Sequence, residues 1–275
     1  MKNKIRISLL GCGWLGFPLA RDLIRQGFPV KGSTTSTDKI PLLKEAGIDP
    51  ILVQFDNSLP EPDLQHLLDA DVLIVSIPPR RRTVEGPENY LKMGETLAEH
   101  LPASCISKLI FVSSTSVYPE TNEVLYESSP ISPETVSAKV IAAVEEKLLS
   151  LPMQVIVLRL AGLFGPGRSP GRFFAGKSGI PNGLAPVNMI HLDEVIALIN
   201  ALIDSDNAKG IYIGSTPSHP SREEFYTLAA KLDNLERPIF ISEKLNWKIV
   251  ESERVEKELG FSFKNANLLD SLRQG

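Results

Sequence analysis

The chain has 275 residues, 43% hydrophobic and 23% charged, and 29 Lys and Arg against 33 Asp and Glu leave a net charge of −4. This composition excludes a disordered, collagen-like or disulfide-stapled chain and offers no basic footprint to nucleic acid. At roughly 100–200 residues per domain, the length suits one large α/β domain, alone or with a smaller appendage. The wholly apolar runs, such as Val72 to Val75, are far short of the ~20 residues a membrane helix needs. Met1-Lys2-Asn3-Lys4 runs straight into an apolar strand, so no cleavable leader or anchor is expected. Cys12 and Cys105, distant in sequence, predict neither a disulfide framework nor a metal site, and a reducing cytoplasm is the expected compartment.

In chain order, strands are predicted at Ile5 to Leu10, Val30 to Ser33, Ile51 to Phe55, Val72 to Ile77, Leu109 to Ser113 and Val155 to Leu160, with helical patterns between them. Continuous apolar strands separated by helix-length segments predict a parallel sheet covered on both faces, the doubly wound Rossmann-type α/β arrangement. The alternation loses regularity after Leu163. From Gly165 to Gly183 the composition shifts to Gly, Pro, Arg and Ser, which predicts a long loop over a site. A helix at Asp193 to Ile203, a strand at Ile211 to Ile213 and helices at Arg222 to Leu232 and Glu251 to Leu259 complete the pattern. There is no internal repeat.

The first strand runs into Gly11-Cys12-Gly13-Trp14-Leu15-Gly16, and Pro18 to Gly27 then carries the apolar spacing of a helix through Leu19, Leu23 and Ile24. Strand, GxGxxG and helix in this order predict a dinucleotide site: Gly11 for the turn, Gly13 for close approach of a pyrophosphate and Gly16 for helix packing. Trp14 and Leu15 belong to the same cofactor loop. An NAD-preferring site carries an acidic residue about 20 residues past the glycines. Here the stretch reads Val30-Lys31-Gly32-Ser33-Thr34-Thr35-Ser36-Thr37, with no carboxylate, so NADP is favoured over NAD, with Ser33, Thr34, Thr35 and Lys31 or Lys39 as its readers. Asp56, after the third strand, is a candidate for the adenine amino group or for a plain turn. Ser76-Ile77-Pro78-Pro79 are expected beside the cofactor, Ile77 and Pro78 among its contacts. Cys12 sits where a thiol pKa can fall, with packing as its competing role.

Further motifs follow: Ser113-Ser114-Thr115-Ser116-Val117-Tyr118, Leu158-Arg159-Leu160-Ala161-Gly162-Leu163-Phe164-Gly165-Pro166-Gly167-Arg168, Ile190-His191-Leu192-Asp193-Glu194-Val195 and Glu258-Leu259-Gly260-Phe261. In this order, with the glycine loop, they resemble the extended short-chain dehydrogenase/reductases, the nucleotide-sugar epimerase and dehydratase group. The Ser-Thr-Ser-Val-Tyr segment and the later Arg-Ser-Pro-Gly-Arg-Phe-Phe-Ala-Gly-Lys look most like the atypical, YeeZ-type bacterial branch. The resemblance implies that Ser114 hydrogen-bonds the reacting oxygen and that Lys139, four residues past the family's Tyr position, holds the nicotinamide ribose.

The Tyr position itself is Thr135. A phenol titrates near pKa ~10 and a neighbouring Lys brings it into range, whereas an aliphatic hydroxyl is a far poorer acid. Thr135 therefore suits hydrogen bonding better than proton transfer, and Tyr118, in the same loop as Ser114, is the nearest candidate to move a proton.

On the substrate side, Arg168 and Arg172, with Lys177 beyond them, suit a small anionic ligand such as a phosphate or carboxylate. Arg80-Arg81-Arg82 offer a second charged run. His191 titrates in a useful range, though a His opening a helix beside Asp193 is more often structural. Phe173-Phe174 read as a lid anchor or as core.

The expected division is an NAD(P)-binding Rossmann domain over 1–165 and a small C-terminal substrate-side lobe over 166–275, from which 188–215 returns to the main sheet. The leading functional expectation is an NADP-dependent oxidoreductase or epimerase-like enzyme on a small carbonyl or hydroxyl compound. A cofactor-binding sensor without turnover is the alternative. A hydroxyacid-dehydrogenase-like reading, suggested by Val75-Ser76-Ile77-Pro78-Pro79, needs an all-helical C-terminal domain, and the strand-like Ile211 to Ile213 and Ile239 to Ile241 oppose it. The family also allows a homodimer through helices between the fourth and sixth strands.

Overall fold

The computed structural model describes residues 5–55, 64–79 and 85–274. Among these residues the elements run β1 (Ile7–Leu10), α1 (Gly16–Arg25), β2 (Val30–Thr34), α2 (Ile40–Glu45), β3 (Asp49–Leu52), α3 (Leu64–Leu68), β4 (Val72–Val75), α4 (Gly86–His100), β5 (Lys108–Ser114) and β6 (Val124–Leu125). They continue with α5 (Val136–Leu149), β7 (Gln154–Leu160), β8 (Gly162–Phe164), β9 (Met189–His191), α6 (Leu192–Asp204), β10 (Gly210–Gly214), α7 (Arg222–Leu232), β11 (Ile249–Val250), α8 (Arg254–Leu259) and α9 (Leu268–Gln274).

Seven strands form one sheet in the order β10-β7-β5-β4-β1-β2-β3. The pairs β1–β2, β1–β4, β2–β3 and β4–β5 are parallel. Strands β1 and β4 are buried along their whole length, as the unbroken apolar runs require of strands covered on both faces. The chain builds outward from β1 through β2 to β3, then crosses to β4 on the other side of β1. The carboxyl ends of β1 and β4 therefore flank a topological switch point, where open α/β sheets bind their ligands.

Two boundaries differ from the sequence pattern. Strand β3 pairs at Asp49–Leu52 and leaves Phe55 beyond the ladder; Pro50 is tolerated because β3 lies at the sheet edge. The helix expected from Glu251 begins at Arg254, because Ile249 and Val250 pair with Val124 and Leu125 in a small sheet and the Glu251 N–H donates to the Leu125 carbonyl.

The chain forms two compact units, interleaved rather than cut once at 165. The first holds Met1–Val117, Pro133–Leu158 and Leu202–Ile211; the second holds Tyr118–Ser132, Arg159–Ala201 and Tyr212–Gly275. In the first, Lys108 at the start of β5 is only 6% exposed. Its ammonium donates to the carbonyls of Leu202, Ile203 and Ser205 at 3.1, 2.6 and 2.9 Å, capping the end of α6. Burial lowers the pKa of this ammonium.

In the second unit, Phe164, Val187, Met189, Phe225 and Leu268 form the core. The buried Glu127 carboxylate accepts from the Ile213 N–H, the Glu253 N–H and the Ser252 hydroxyl, which joins the 118–132 segment to this unit. The small sheets β6–β11 and β8–β9 make this unit mixed rather than all-helical.

Candidate functional site

In the first unit, the glycine loop is strapped between β2 and β4. The Gly11 N–H donates to Ser33 Oγ at 2.8 Å, the Cys12 N–H to the Ser33 carbonyl at 2.9 Å, and Ser76 Oγ donates to the Gly11 carbonyl at 2.8 Å. Gly11 has φ +109°, a conformation that L side chains rarely adopt. A Cβ on Gly16 would overlap the Gly11 carbonyl oxygen, so only glycine lets α1 pack this close. A Cβ on Gly13, by contrast, would meet nothing within 4 Å. The N-terminus of α1 has no side-chain cap and no acidic residue in its first turn. Free N–H groups at a helix start, beneath an open glycine, form a cradle suited to a pyrophosphate.

Beside the loop, Thr35, Val53, Gln54, Phe55, Ile77 and Pro78 line a cleft whose far wall is Asn89, Tyr90 and Met93 of α4. Ile77, Pro78 and Thr35 were legible in the sequence. The α4 residues carried no signal, because the chain passes them far from the glycine motif. Asp56 and Arg80 to Arg82 lie outside the described residues.

The remaining polar residues at the end of β2 are placed differently from the sequence expectation. Ser33 is 3% exposed, and its hydroxyl supports Gly11 instead of facing the cleft. Thr34 is buried and closes a turn with the Ser36 N–H and carbonyl. Lys31 is held by the His66 and Asp69 carbonyls and by the Asp69 carboxylate. Lys39 is exposed, and its charge is felt at Cys12. The Cys12 thiol itself is pushed up to about 12 by burial, so it packs rather than reacts. Leu15 is a buried packing residue, and Trp14 is half-buried.

Farther along the first unit, Ser114 ends β5 half-buried, and its Oγ accepts from the Ser116 N–H at 3.1 Å. Thr135 is the N-cap of α5: its hydroxyl accepts from the Ala138 N–H at 3.1 Å. That is a capping role in which the missing phenol has no substitute. Lys139 lies one turn on and is exposed.

The second unit holds Tyr118, Arg168, Arg172 and His191. Tyr118 is 2% exposed, and its hydroxyl accepts from Arg159 Nη1 at 2.7 Å, so the expected proton carrier is enclosed against a guanidinium. The sequence signal for that partner was a single arginine inside the apolar run Val155 to Leu160.

Arg168 and Arg172 are exposed. The Lys177 ammonium donates to the Phe173 carbonyl and lies over the Phe174 ring. The expected long loop is docked: a short turn at Pro170–Phe173 follows Ser169, which donates to Asp233, and Phe174 packs on Tyr226 and Phe240. Phe173 is exposed at the edge of the same cluster, its ring meeting Tyr226 at 6.3 Å. His191 Nδ1 accepts from the Asp193 N–H at 3.2 Å, capping α6, and its ring meets Phe164 edge-on. Among the described residues no cluster of three or more His, Cys, Asp or Glu could hold a metal, and no helix is long and apolar enough to cross a membrane.

A glycine loop between β1 and α1, at the switch point of a sheet in this order, defines a Rossmann-type α/β protein. No protein-family model matches the chain. It is 40% identical over 263 residues to protein YeeZ of Escherichia coli K12, covering 94% of this chain and 95% of YeeZ. Among solved structures it is similar to the Bordetella bronchiseptica enzyme WbmG in complex with NAD and UDP, with TM-score 0.80, 16% identity and coverage of 99% and 94% of the two chains. UDP-glucuronic acid 4-epimerase from Bacillus cereus in complex with NAD gives 0.78, 17%, 98% and 97%. Human epimerase family protein SDR39U1 with NADPH gives 0.74, 16%, 98% and 98%. The chain belongs to the family of protein YeeZ, and its fold is shared with these solved structures.

Proposed function

We propose that the chain binds a nicotinamide dinucleotide, NADP in preference to NAD, and acts as an oxidoreductase or epimerase-like enzyme on a small carbonyl or hydroxyl compound. The observation that carries this reading is the open face of Gly13 over the uncapped start of α1. The pyrophosphate would lie there, with the adenine between Ile77, Pro78 and the Val53-to-Phe55 segment. A bound nicotinamide supplies two-electron oxidation and reduction at an oxygen-bearing carbon.

The NADP preference rests on charge. The end of β2 has no carboxylate to repel a 2′-phosphate, Thr35 lines the cleft, and Lys39, exposed four residues further on, offers a cation, while Lys31 is engaged with Asp69. The similar structures divide on this point, two holding NAD and one NADPH. Ser114 would hydrogen-bond the substrate oxygen, Lys139 the ribose hydroxyls, and Arg168 and Arg172 an anionic substrate group. Two free cysteines, one of them exposed, support a cytoplasmic setting, and a homodimer remains part of the proposal.

A second reading, a cofactor-binding sensor without turnover, is favoured by one observation. The hydroxyls nearest the family's acid/base position are both engaged, Thr135 as a cap and Tyr118 with Arg159. Thermal unfolding with NADPH, NADH and no ligand tests cofactor binding, since a ligand of the native state stabilises it by about 2.7 kcal/mol at 100 times its dissociation constant. A larger rise with NADPH supports the proposal; no rise with either cofactor defeats it. Given binding, turnover of any member of a broad carbonyl panel that is lost in Ser114→Ala selects the enzyme, and tight binding without turnover selects the sensor.

A further inference from the structure

The second unit carries a pocket that neither the glycine loop nor the arginine-bearing turn uses. Its volume is about 320 Å³, and its walls include Ser215, Glu251, Ser252, Glu256, Phe261 and Phe263. That volume falls in the range of small-molecule sites.

Three features of its chemistry converge. Ser215, directly after β10, is 3% exposed, and its hydroxyl has no hydrogen-bond partner. Buried hydroxyls are normally satisfied, so one without a partner at a pocket wall points to a group that arrives from outside. Glu251 and Glu256 bring two carboxylates without a lysine or arginine partner among the described residues. The nearest basic group to Glu251 is the His219 ring, with Nε2 at 3.9 Å. Nδ1 of that ring lies 3.1 Å from the Val187 carbonyl and so carries a proton, and burial lowers the imidazole pKa, which disfavours a second proton and a positive charge facing the carboxylate. Phe261 and Phe263 meet edge to face at 5.2 Å, adding aromatic surface of the kind that attracts cations.

The pocket thus offers acceptors, negative charge and aromatic surface. This repels a phosphate or carboxylate, so the site is unsuited to the anionic substrate proposed above. A divalent metal would need several oxygen ligands in one shell, and no metal cluster exists among the described residues. From this convergence we propose that the pocket binds a small organic cation: a primary ammonium on a short apolar chain. Its three N–H groups would go to Glu251, Glu256 and Ser215, and its chain to the two phenylalanines. The proposal is independent of cofactor binding.

Calorimetric titration of the full chain with n-butylammonium chloride tests it, with butyrate, 1-butanol and magnesium chloride as controls and saturation-transfer NMR as a second readout. Saturable binding of butylammonium is expected, with none for butyrate. Losing a charge-assisted hydrogen bond in Glu251→Gln should weaken binding about tenfold, and losing a neutral one in Ser215→Ala about threefold. Glu256→Gln, on exposed α8, gives the same reading should Glu251→Gln fail to fold. The proposal is overturned by absence of saturable binding, by butanol binding as well as butylammonium, by glutamate variants that bind unchanged, or by magnesium displacing butylammonium at equal concentration.

Discussion

Arg159 and Tyr118 form one buried unit: guanidinium Nη1 donates to the phenolic oxygen at 2.7 Å, and the guanidinium carbon lies 4.9 Å from the ring centroid. Arginine is 3% exposed and tyrosine 2%. Tyr118→Phe removes an acceptor from a buried cation and should cost about 1–3 kcal/mol in urea unfolding. Any turnover per folded molecule should stay unchanged. A fall in turnover at constant stability would return Tyr118 to proton transfer.

The glycines of the cofactor loop separate folding from binding. Gly13→Ala places a methyl group in open space and should leave the unliganded melting temperature within experimental error, while abolishing the rise induced by NADPH. Gly16→Ala drives the same methyl into the Gly11 carbonyl and should destabilise the unliganded protein by about 1–3 kcal/mol. Equal loss of stability in both variants would mean that the open face of Gly13 has no binding role.

Lys39→Ala should weaken NADPH roughly tenfold, about 1.4 kcal/mol, and leave NADH nearly unchanged. The deficit should shrink as salt rises, because an exposed cation reading a phosphate is screened. Fluorescence titration of both cofactors at two ionic strengths measures this. Parallel losses for NADPH and NADH would assign Lys39 to a part of the cofactor common to both.

Glu258 supplies a pH signature. Arg254 holds its carboxylate with bonds of 2.6 and 2.7 Å and Tyr212 adds another at 2.7 Å, which together lower its pKa to about 2. A carboxyl group depressed below its ordinary value of 4.5 contributes stability above that pH, and the contribution is lost as pH falls through about 2. The gap in unfolding free energy between wild type and Glu258→Gln should therefore narrow from pH 5 to pH 2. A constant gap across that range would show that the triad does not respond to protonation.

Replacing Lys108 by Met leaves three carbonyls at the end of α6 without their donor and should destabilise by about 1–3 kcal/mol, measured by thermal or urea unfolding. Lys108→Arg should recover part of the loss. A stability equal to wild type in Lys108→Met would mean that water replaces the ammonium at no cost.

The sheet and the cofactor loop are legible along the chain, because both rest on local patterns. Val72 to Val75 reads as a strand buried on two faces, and Gly11, Gly13 and Gly16 announce a turn, an open face and a close packing contact through their spacing alone. The departure at Thr135 was equally legible, since one residue type differed at one position. Tertiary structure alone decided which side chains were left to act. Ser33 and Lys31 have the chemistry of phosphate readers, yet one supports Gly11 and the other is tied to Asp69, groups that sequence distance hides. Tyr118 and Arg159 lie 41 residues apart, and Lys108 reaches carbonyls 94 to 97 residues away. The physical reason is that a buried polar group must find a partner, and the partner is chosen by the packing of distant segments rather than by the order of neighbours along the chain.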